Sequence, residues 1–224
     1  MPDRIVEYHE PVTLLGGGAA SADSLREALI RAPRLLAADG GANMALGEGL
    51  CPDLVIGDFD SVSAEALAQV PVERQMRIAE QETTDFEKCL SHIRAPLIIG
   101  LGFMGPRVDH SLAVWNALVR YPGQRCVLWG EEDVVFAAPG RISLPVLAGT
   151  RLSLFPMRAV RGESTGLRWP IAGLPFAPDG VIGTSNEATG AVDLWFDGPG
   201  MLVILPADCL DLAIRALLEA QAHP

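Results

Sequence analysis

Four short apolar runs, at residues 12–15, 35–38, 54–57 and 97–101, organise the first half of the chain. Each run has the length of a buried strand, and segments with helical spacing of apolar residues lie between them. We predict helices at residues 21–31, 43–47 and 111–120, an amphipathic segment at 63–70, and a helix that begins at a capping box formed by Thr84 and Glu87. Strands that alternate with helices in this way predict a three-layer α/β fold with a mostly parallel sheet.

The pattern of apolar residues changes near residue 122. Beyond it, short β-rich segments separated by glycine, proline and aspartate lie at residues 126–129, 133–137, 141–144, 151–155, 191–196 and 201–205. Residues 162–170 and 183–187 are expected to be loops, and residues 207–222 an amphipathic helix. The spacing predicts an all-β sandwich or jelly-roll-like unit. We therefore expect an α/β domain at residues 1–122 and a β-sandwich domain at residues 123–224.

Acidic residues follow two of the apolar runs. Asp58 and Asp60 come directly after the run at 54–57, and in extended backbone they project to the same side. Two such carboxylates suit a hard cation such as Mg²⁺, although an Asx-type turn without a ligand explains the same residues. Asp39 ends the preceding run, where Gly40 and Gly41 let a ligand approach the backbone and Asp39 could accept from a ribose hydroxyl or a metal-bound water.

Glycines and one possible ion pair mark two further positions. The three glycines at residues 16–18 lie between a strand and a helix, where they either present N–H groups to a phosphate or only form a tight turn. Asp85 and Lys88 share one face of the helix that begins near Thr84. They either serve a cation and a phosphate or form an ordinary ion pair on a solvated helix.

Polar residues also follow the fourth apolar run. Arg107 precedes a helix and is well placed to bind a phosphate. Asp109 is a natural N-cap for that helix. His110 is either a surface residue of the capping turn or a catalytic residue.

Ligands in parallel α/β sheets bind outside the carboxyl ends of the strands, so we expect these polar residues to meet at one edge. Mg²⁺ and cationic side chains are what phosphoryl transfer requires, because positioning and charge neutralisation do most of the work. The chain contains no P-loop motif. Residues 100–105 match the G-x-G-x-x-G pattern of dinucleotide-binding proteins, but Pro106 follows at once and the predicted helix starts late.

The composition limits the classes of function. Of the 224 residues, 49% are hydrophobic and 20% are charged, as in a folded globular protein. A net charge of −11 provides no basic field for nucleic acid or an anionic membrane, and no apolar run reaches the length of a membrane span. The four cysteines form no C-x-x-C pair and are expected to be reduced thiols in a cytoplasmic protein.

Six motifs lie in order along the chain: A-D-G-G-A-N at residues 38–43, P-D through G-D-F-D-S at 52–61, T-D-F-E-K at 84–88, G-P-R-V-D-H at 105–110, G-L-R-W-P at 166–170 and S-N-E at 185–187. In this order they resemble the thiamine pyrophosphokinase family over most of the chain. The chain departs from the family pattern at Glu82 and Pro106. It also has no tryptophan near Val203, where eukaryotic-type members stack one on the substrate. Trp169 is another candidate for such stacking, although packing in the core explains it equally well.

The resemblance implies a thiamine diphosphokinase, which transfers a pyrophosphoryl group from ATP to the thiamine hydroxyl and yields thiamine diphosphate and AMP. It implies a nucleotide-binding catalytic α/β domain, a β-sandwich domain for thiamine binding and dimerisation, and a homodimer with thiamine bound where two subunits meet. By position, the residues expected to act on the Mg²⁺-bound polyphosphate are Asp58, Asp60, Asp85 and Lys88, the three aspartates being the metal ligands. The residues expected to bind ATP are Asp39, Gly40, Gly41, Asn43, Arg107, Asp109 and His110. Those expected to contact thiamine are Gln81, Ser185 and Asn186.

Other functions remain open from the residues alone. A diphosphokinase for another heterocyclic alcohol, such as a hydroxymethylpterin, would use the same edge and differ only in its pocket. A non-catalytic sensor of nucleotide or thiamine would bind without releasing AMP. A nicotinamide-dependent oxidoreductase would use the glycine pattern at residues 100–105.

Overall fold

Five parallel strands form the main sheet of the first half of the protein in the computed structural model, which describes residues 5–220. By its internal contacts the chain divides into two units, Met1–Ala117 and Leu118–Pro224. The elements that begin in the first unit are β1 (Val6–Glu7), β2 (Val12–Leu15), α1 (Ala22–Arg31), β3 (Arg34–Ala38), α2 (Gly41–Gly47), β4 (Leu54–Gly57), α3 (Ala64–Leu67), β5 (Gln75–Arg77), α4 (Asp85–His92), β6 (Ile93–Arg94), β7 (Ile98–Leu101) and α5 (Val108–Arg120). A 3₁₀ turn, Val72–Arg74, precedes β5.

The strand order in this sheet is β7-β2-β3-β4-β5, and each neighbouring pair is parallel. The four predicted apolar runs are β2, β3, β4 and β7, in which every residue except Arg34 is buried. Strands covered on both faces read as continuous apolar runs, which explains why the pattern located them. The prediction of an α/β fold is therefore confirmed.

Three short strands of the first unit were not predicted. β5 lies at the edge of the sheet and buries only Met76, so it has no apolar run. β1 and β6, of two residues each, form a separate parallel ladder. Strands as short as these leave too few residues for a periodic pattern to appear.

The second unit consists mainly of antiparallel strands. Its elements are β8 (Cys126–Trp129), β9 (Asp133–Ala137), β10 (Arg141–Leu144), β11 (Arg151–Pro156), β12 (Gly162–Leu167), β13 (Gly183–Phe196), β14 (Met201–Pro206), a 3₁₀ turn (Ala207–Cys209) and α6 (Leu210–Glu219). The order β8-β9-β14-β11-β13 forms one antiparallel sheet. The long strand β13 then continues past Gly190, and its second half pairs with β10 and β12.

The predicted loops at residues 162–170 and 183–187 are wrong. Gly162–Leu167 is a strand, and residues 183–187 are the first part of β13. Both segments are polar and contain glycine, and they become strands because antiparallel partners supply their hydrogen bonds. The helix expected at residues 207–222 begins with a 3₁₀ turn, and its predicted last two residues lie outside the described residues. Because α6 contacts β8 and β10, this unit is not all-β.

Within residues 5–220, none of the helices is both long and apolar enough to span a membrane.

The start of α2 lies directly against the end of β2. A Cβ atom on Gly41 would lie 2.0 Å from the carbonyl oxygen of Leu15, so Gly41→Ala must displace backbone. We expect this substitution to lower the free energy of unfolding by about 1–3 kcal/mol, measured by urea denaturation. Gly47→Ala in the same helix is the control, because no atom lies within 4 Å of its Cβ position. It should stabilise the protein by about 0.5–1 kcal/mol, and equal effects at the two positions would contradict the prediction.

Candidate active site

The loops that follow β2 and β7 are bonded to each other at the carboxyl edge of the parallel sheet. Gly16 N donates to Leu101 O at 2.8 Å, and Gly18 N donates to Gly102 O at 3.0 Å. Gly102 has φ +72°, and a Cβ there would lie 2.7 Å from Gly16 O. The N–H groups of Gly16 and Gly18 are thus bonded within the protein, which favours the tight-turn interpretation of residues 16–18.

Asp39 connects the end of β3 to the loop after β4. Its side chain accepts from Ser61 N at 3.0 Å and from Val62 N at 3.2 Å, and the residue is 1% exposed. Burial raises the pKa of Asp39 above its ordinary value, although the two backbone hydrogen bonds favour the charged form. Asp39 is therefore a buried carboxyl group that is fixed by two hydrogen bonds from the loop after β4.

Asp58 and Asp60 lie on that loop, next to Asp39. One carboxylate oxygen from each of the three residues lies within 4.8 Å of the others. Asp60 N donates to Asp58 Oδ1 at 3.2 Å, and Ser61 Oγ donates to Asp60 Oδ1 at 2.7 Å, so an Asx-type turn is also present. With this turn present, the carboxylates of Asp39, Asp58 and Asp60 still lie close together. Three oxygen ligands at this spacing fit a hard divalent cation.

Lys88 joins this group from α4. Its Nζ donates to Asp58 Oδ2 and to Asp85 Oδ1, both at 3.2 Å, and its side chain is 2% exposed. Thr84 Oγ1 accepts from Glu87 N at 3.3 Å and fixes the first turn of α4, from which Asp85 and Lys88 project. The predicted ion pair within the helix is present, but its Lys88 end is buried and also binds Asp58. We call Asp39, Asp58, Asp60, Asp85 and Lys88 the acidic site.

The pKa values in the acidic site diverge. Burial works to raise the pKa of Asp58, but hydrogen bonds from Lys88, Asp60 N and Gln81 outweigh it and hold that pKa below 3.8. Burial raises the pKa of Asp85 in spite of Lys88, and the negative charges of Asp58 and Asp60 add to the increase. Burial also disfavours the charged form of Lys88, yet its bonds to both carboxylates raise its pKa above 10.5. Neighbouring carboxyl groups with pKa values moved in opposite directions are typical of functional sites.

Two more side chains contact Asp58. Gln81 Nε2 donates to Asp58 Oδ2 at 2.8 Å, and Arg77 Nε donates to the carbonyl oxygen of Asp58 at 3.1 Å. Gln81, which the resemblance assigns to thiamine, thus lies at the acidic site and helps to hold one of its carboxylates.

Arg107, Asp109 and His110 lie at the surface. Arg107 Nη2 and Asp109 Oδ2 are 2.7 Å apart, and both side chains are 66% exposed. Since α5 begins at Val108, Asp109 lies in its first turn, and the N-cap interpretation is wrong. Phe103, in the loop before this helix, packs against Phe86 of α4 with ring centroids 4.6 Å apart. This contact brings the loop that carries Arg107 next to the helix that carries Lys88.

Several known proteins that are similar to this chain are thiamine pyrophosphokinases. The family model described as "Thiamin pyrophosphokinase, catalytic domain" matches residues 25–129. Thiamine pyrophosphokinase 2 of Arabidopsis thaliana is 30% identical over 185 residues, which cover 67% of this chain and 69% of that protein. The chain belongs to the thiamine pyrophosphokinase family. The resemblance carried by the six motifs is therefore confirmed.

Two further relatives show the extent of the likeness. Thiamine pyrophosphokinase 1 of Oryza sativa subsp. japonica is 31% identical over 154 residues, a match that covers 60% of this chain and 58% of the rice protein. This chain thus matches less than two thirds of the length of that relative. The structure of thiamin pyrophosphokinase from Candida albicans has a TM-score of 0.73 at 16% identity, covering 92% of this chain and 94% of that one. At that identity the likeness shows a shared fold.

In the second unit of this family member, Asn186 fixes the backbone of Trp169. Its Nδ2 donates to Trp169 O at 2.7 Å, and its Oδ1 accepts from Trp169 N at 3.2 Å and from Glu187 N at 2.8 Å. Ser185 has φ +60° and donates its N–H to Ser153 Oγ at 2.9 Å. A thiamine contact by Ser185 or Asn186 stays a prediction.

Trp169 itself is 54% exposed, so core packing does not explain it. The guanidinium of Arg168 lies 5.0 Å from the centre of its ring. Val203, near which eukaryotic-type members carry a tryptophan, is fully buried in β14.

Glu80, which none of the sequence motifs includes, shapes the turn before α4. Its carboxylate accepts from Glu82 N at 2.7 Å, from Thr83 N at 3.1 Å and from Thr83 Oγ1. The pKa of Glu80 is lowered, first of all by the hydrogen bond from Thr83. An acidic residue three positions before a threonine, at a loop end, is a signal for such local bonding.

Proposed function

We propose that this protein is a thiamine pyrophosphokinase that transfers the pyrophosphoryl group of ATP to the hydroxyl group of thiamine, with thiamine diphosphate and AMP as products. The observation that supports this most is the acidic site, in which four carboxylates and one ammonium group from the ends of β3 and β4 and the start of α4 lie together. Pyrophosphoryl transfer needs such a site for a divalent cation and the phosphate chain. Family membership supplies the identity of the acceptor.

Asp39, Asp58 and Asp60 would hold Mg²⁺, and their oxygen-only donor set fits that ion. When bound, Mg²⁺ neutralises the negative charge of the phosphate oxygens and stabilises the additional negative charge that develops during transfer. Lys88 fixes the orientation of Asp58 and Asp85 and reduces the negative charge that repels the triphosphate.

Asp85 would orient the thiamine hydroxyl or accept its proton. Its raised pKa makes it a better base than an ordinary aspartate, and its side chain is 33% exposed, so a substrate can reach it. Sequence-predicted ligation of the metal by Asp85 stays a prediction, as do the ATP contacts of Gly40, Gly41, Asn43, Arg107, Asp109 and His110. The homodimer, the domain boundary at residue 122 and the cytoplasmic location also stay predictions.

The test is product analysis by chromatography after incubation of the purified protein with ATP, Mg²⁺ and thiamine. We expect AMP and thiamine diphosphate to form in equal amounts only when all three are present, and EDTA to stop the reaction. A hydroxymethylpterin is assayed in parallel, and AMP formed with the pterin alone would favour the other diphosphokinase. Binding of ATP and thiamine without AMP would indicate a sensor and would overturn the proposal.

A further inference from the structure

Two side chains bind most of the backbone polar groups of residues 61–63. Asp39 accepts from Ser61 N and Val62 N, as described above. Asn43, in the first turn of α2, donates from Nδ2 to Ser61 O at 3.0 Å and accepts at Oδ1 from Ser63 N at 2.9 Å. The N–H groups of residues 61, 62 and 63 and the carbonyl oxygen of Ser61 are thus hydrogen-bonded to side chains at the end of β3 and in α2.

The segment held in this way directly follows the loop that carries Asp58 and Asp60. Within that loop Phe59 has φ +69°, a backbone conformation that non-glycine residues seldom adopt. Such a conformation persists only where the surrounding structure enforces it. Packing of Phe59 against the cluster that contains Val62 and Ala66 holds one side of the loop, and the bonds from Asn43 hold the chain just beyond it.

Asn43 itself is well placed to act as a fixed anchor. It lies four residues after Asp39, on a helix whose first residue, Gly41, lies so close to Leu15 O that no Cβ fits. Its side-chain oxygen and one of its N–H bonds are already used on residues 61–63. The amide thus already holds the protein backbone, and the experiment below decides between this role and the contact with ATP that the sequence predicts.

We propose that Asn43 is a positioning residue that sets the geometry of Asp58 and Asp60 through the 61–63 segment. The inference rests on the proposed function, because those two carboxylates are two of the three metal ligands of that proposal. Residues that orient metal ligands typically change metal affinity or activity about 10–100-fold when they are removed. Removal of the Asn43 side chain should therefore weaken metal binding and lower kcat, and it should leave the KM for ATP nearly unchanged.

The experiment compares Asn43→Ala with Asn116→Ala, the same substitution at an exposed asparagine within α5. Mn²⁺ is titrated into each nucleotide-free protein by calorimetry, and kcat and KM for ATP are measured at saturating Mg²⁺ and thiamine. For Asn43→Ala we expect about tenfold weaker Mn²⁺ binding, about tenfold lower kcat and a KM for ATP within twofold of the unsubstituted protein. Asn116→Ala should match the unsubstituted protein in all three quantities.

Two results would overturn the proposal. One is a raised KM for ATP with unchanged Mn²⁺ affinity and kcat, which would make Asn43 an ATP contact; the other is no change at all. If Asn43→Ala does not fold, Asn43→Asp, which keeps the acceptor for Ser63 N, is assessed by the same measurements. If the unsubstituted protein forms no AMP, the proposed function fails, while the Mn²⁺ titration still decides whether Asn43 positions the carboxylates.

Discussion

The Asp58→Asn variant is expected to form AMP about a thousandfold more slowly than the unsubstituted protein, a loss of about 4 kcal/mol in transition-state stabilisation. Asp58 accepts from Lys88 Nζ, Gln81 Nε2 and Asp60 N. Asparagine has one acceptor oxygen in place of two, so at least one of these donors would face an NH₂ group. The variant also removes a negative charge from the three-carboxylate group that fits the cation. The measurement is kcat at saturating ATP, thiamine and Mg²⁺.

Asp23→Asn is the matched control for this variant. Asp23 lies in the first turn of α1, and its side chain is 90% exposed. The same change of charge there should leave kcat unaltered. Activity of Asp58→Asn within tenfold of the unsubstituted protein would contradict the prediction. Loss of its circular dichroism spectrum would instead assign Asp58 a structural role.

Replacement of Lys88 by methionine is expected to lower the free energy of unfolding by about 3 kcal/mol in metal-free buffer and to abolish AMP formation. Methionine keeps the apolar stem but leaves Asp58 and Asp85 without the ammonium group between them. We expect the lower end of the range for broken buried pairs because Asp85 is one third exposed. Added Mg²⁺ should restore part of the stability, since a divalent cation that binds only the folded protein stabilises it.

The pH window for this measurement follows from the pKa shifts of the pair. The pKa of Lys88 is raised, so its stabilising contribution is complete below 10.5 and is lost as the pH rises through the folded-state value. The pKa of Asp58 is lowered, so its contribution is complete above 3.8 and is lost as the pH falls through the folded-state value. Urea denaturation near pH 7 therefore measures the full contribution of the Lys88–Asp58 pair.

Arg26→Met is the control for the Lys88 variant. Arg26 also binds two carboxylates, those of Asp23 and Glu48, but its side chain is 61% exposed. Exposed pairs contribute little, so the loss should be below about 1 kcal/mol. Lys88→Arg should not restore activity, because a planar guanidinium requires more room than the buried ammonium group. A stable and active Lys88→Met variant would contradict the role assigned to this residue.

For Lys88, the sequence and the tertiary structure contribute different information. It is the only lysine among the 17 basic residues, all the others being arginine. Its place in the family motif indicated a functional position, whereas its spacing from Asp85 was also consistent with an ordinary ion pair on a solvated helix. Its burial and its bond to Asp58, 30 residues earlier, could not be predicted from spacing. That bond depends on how α4 lies against β3 and β4.

Apolar periodicity did not predict the strands that depend on hydrogen bonds to antiparallel partners. The segments that form β12 and the first part of β13 are polar and contain glycine, so no alternation of apolar residues marked them as strands. Asn186, expected in a loop, is 7% exposed and satisfies the backbone of Trp169. Contacts of this kind join residues 17 positions apart, and short-range periodicity carries no information about them.

The sequence by itself determined which segments become the central parallel strands, because strands buried on both faces must be continuously apolar. It also determined that Asp39, Asp58 and Asp60 follow strand ends and, through the family resemblance, the reaction to be expected. The tertiary structure alone decided that Asp39 and Asn43 bind residues 61–63 and that Lys88 of α4 binds Asp58. The physical reason is that these bonds join residues far apart in the chain, so they depend on strand order and loop conformation, which apolar periodicity does not specify.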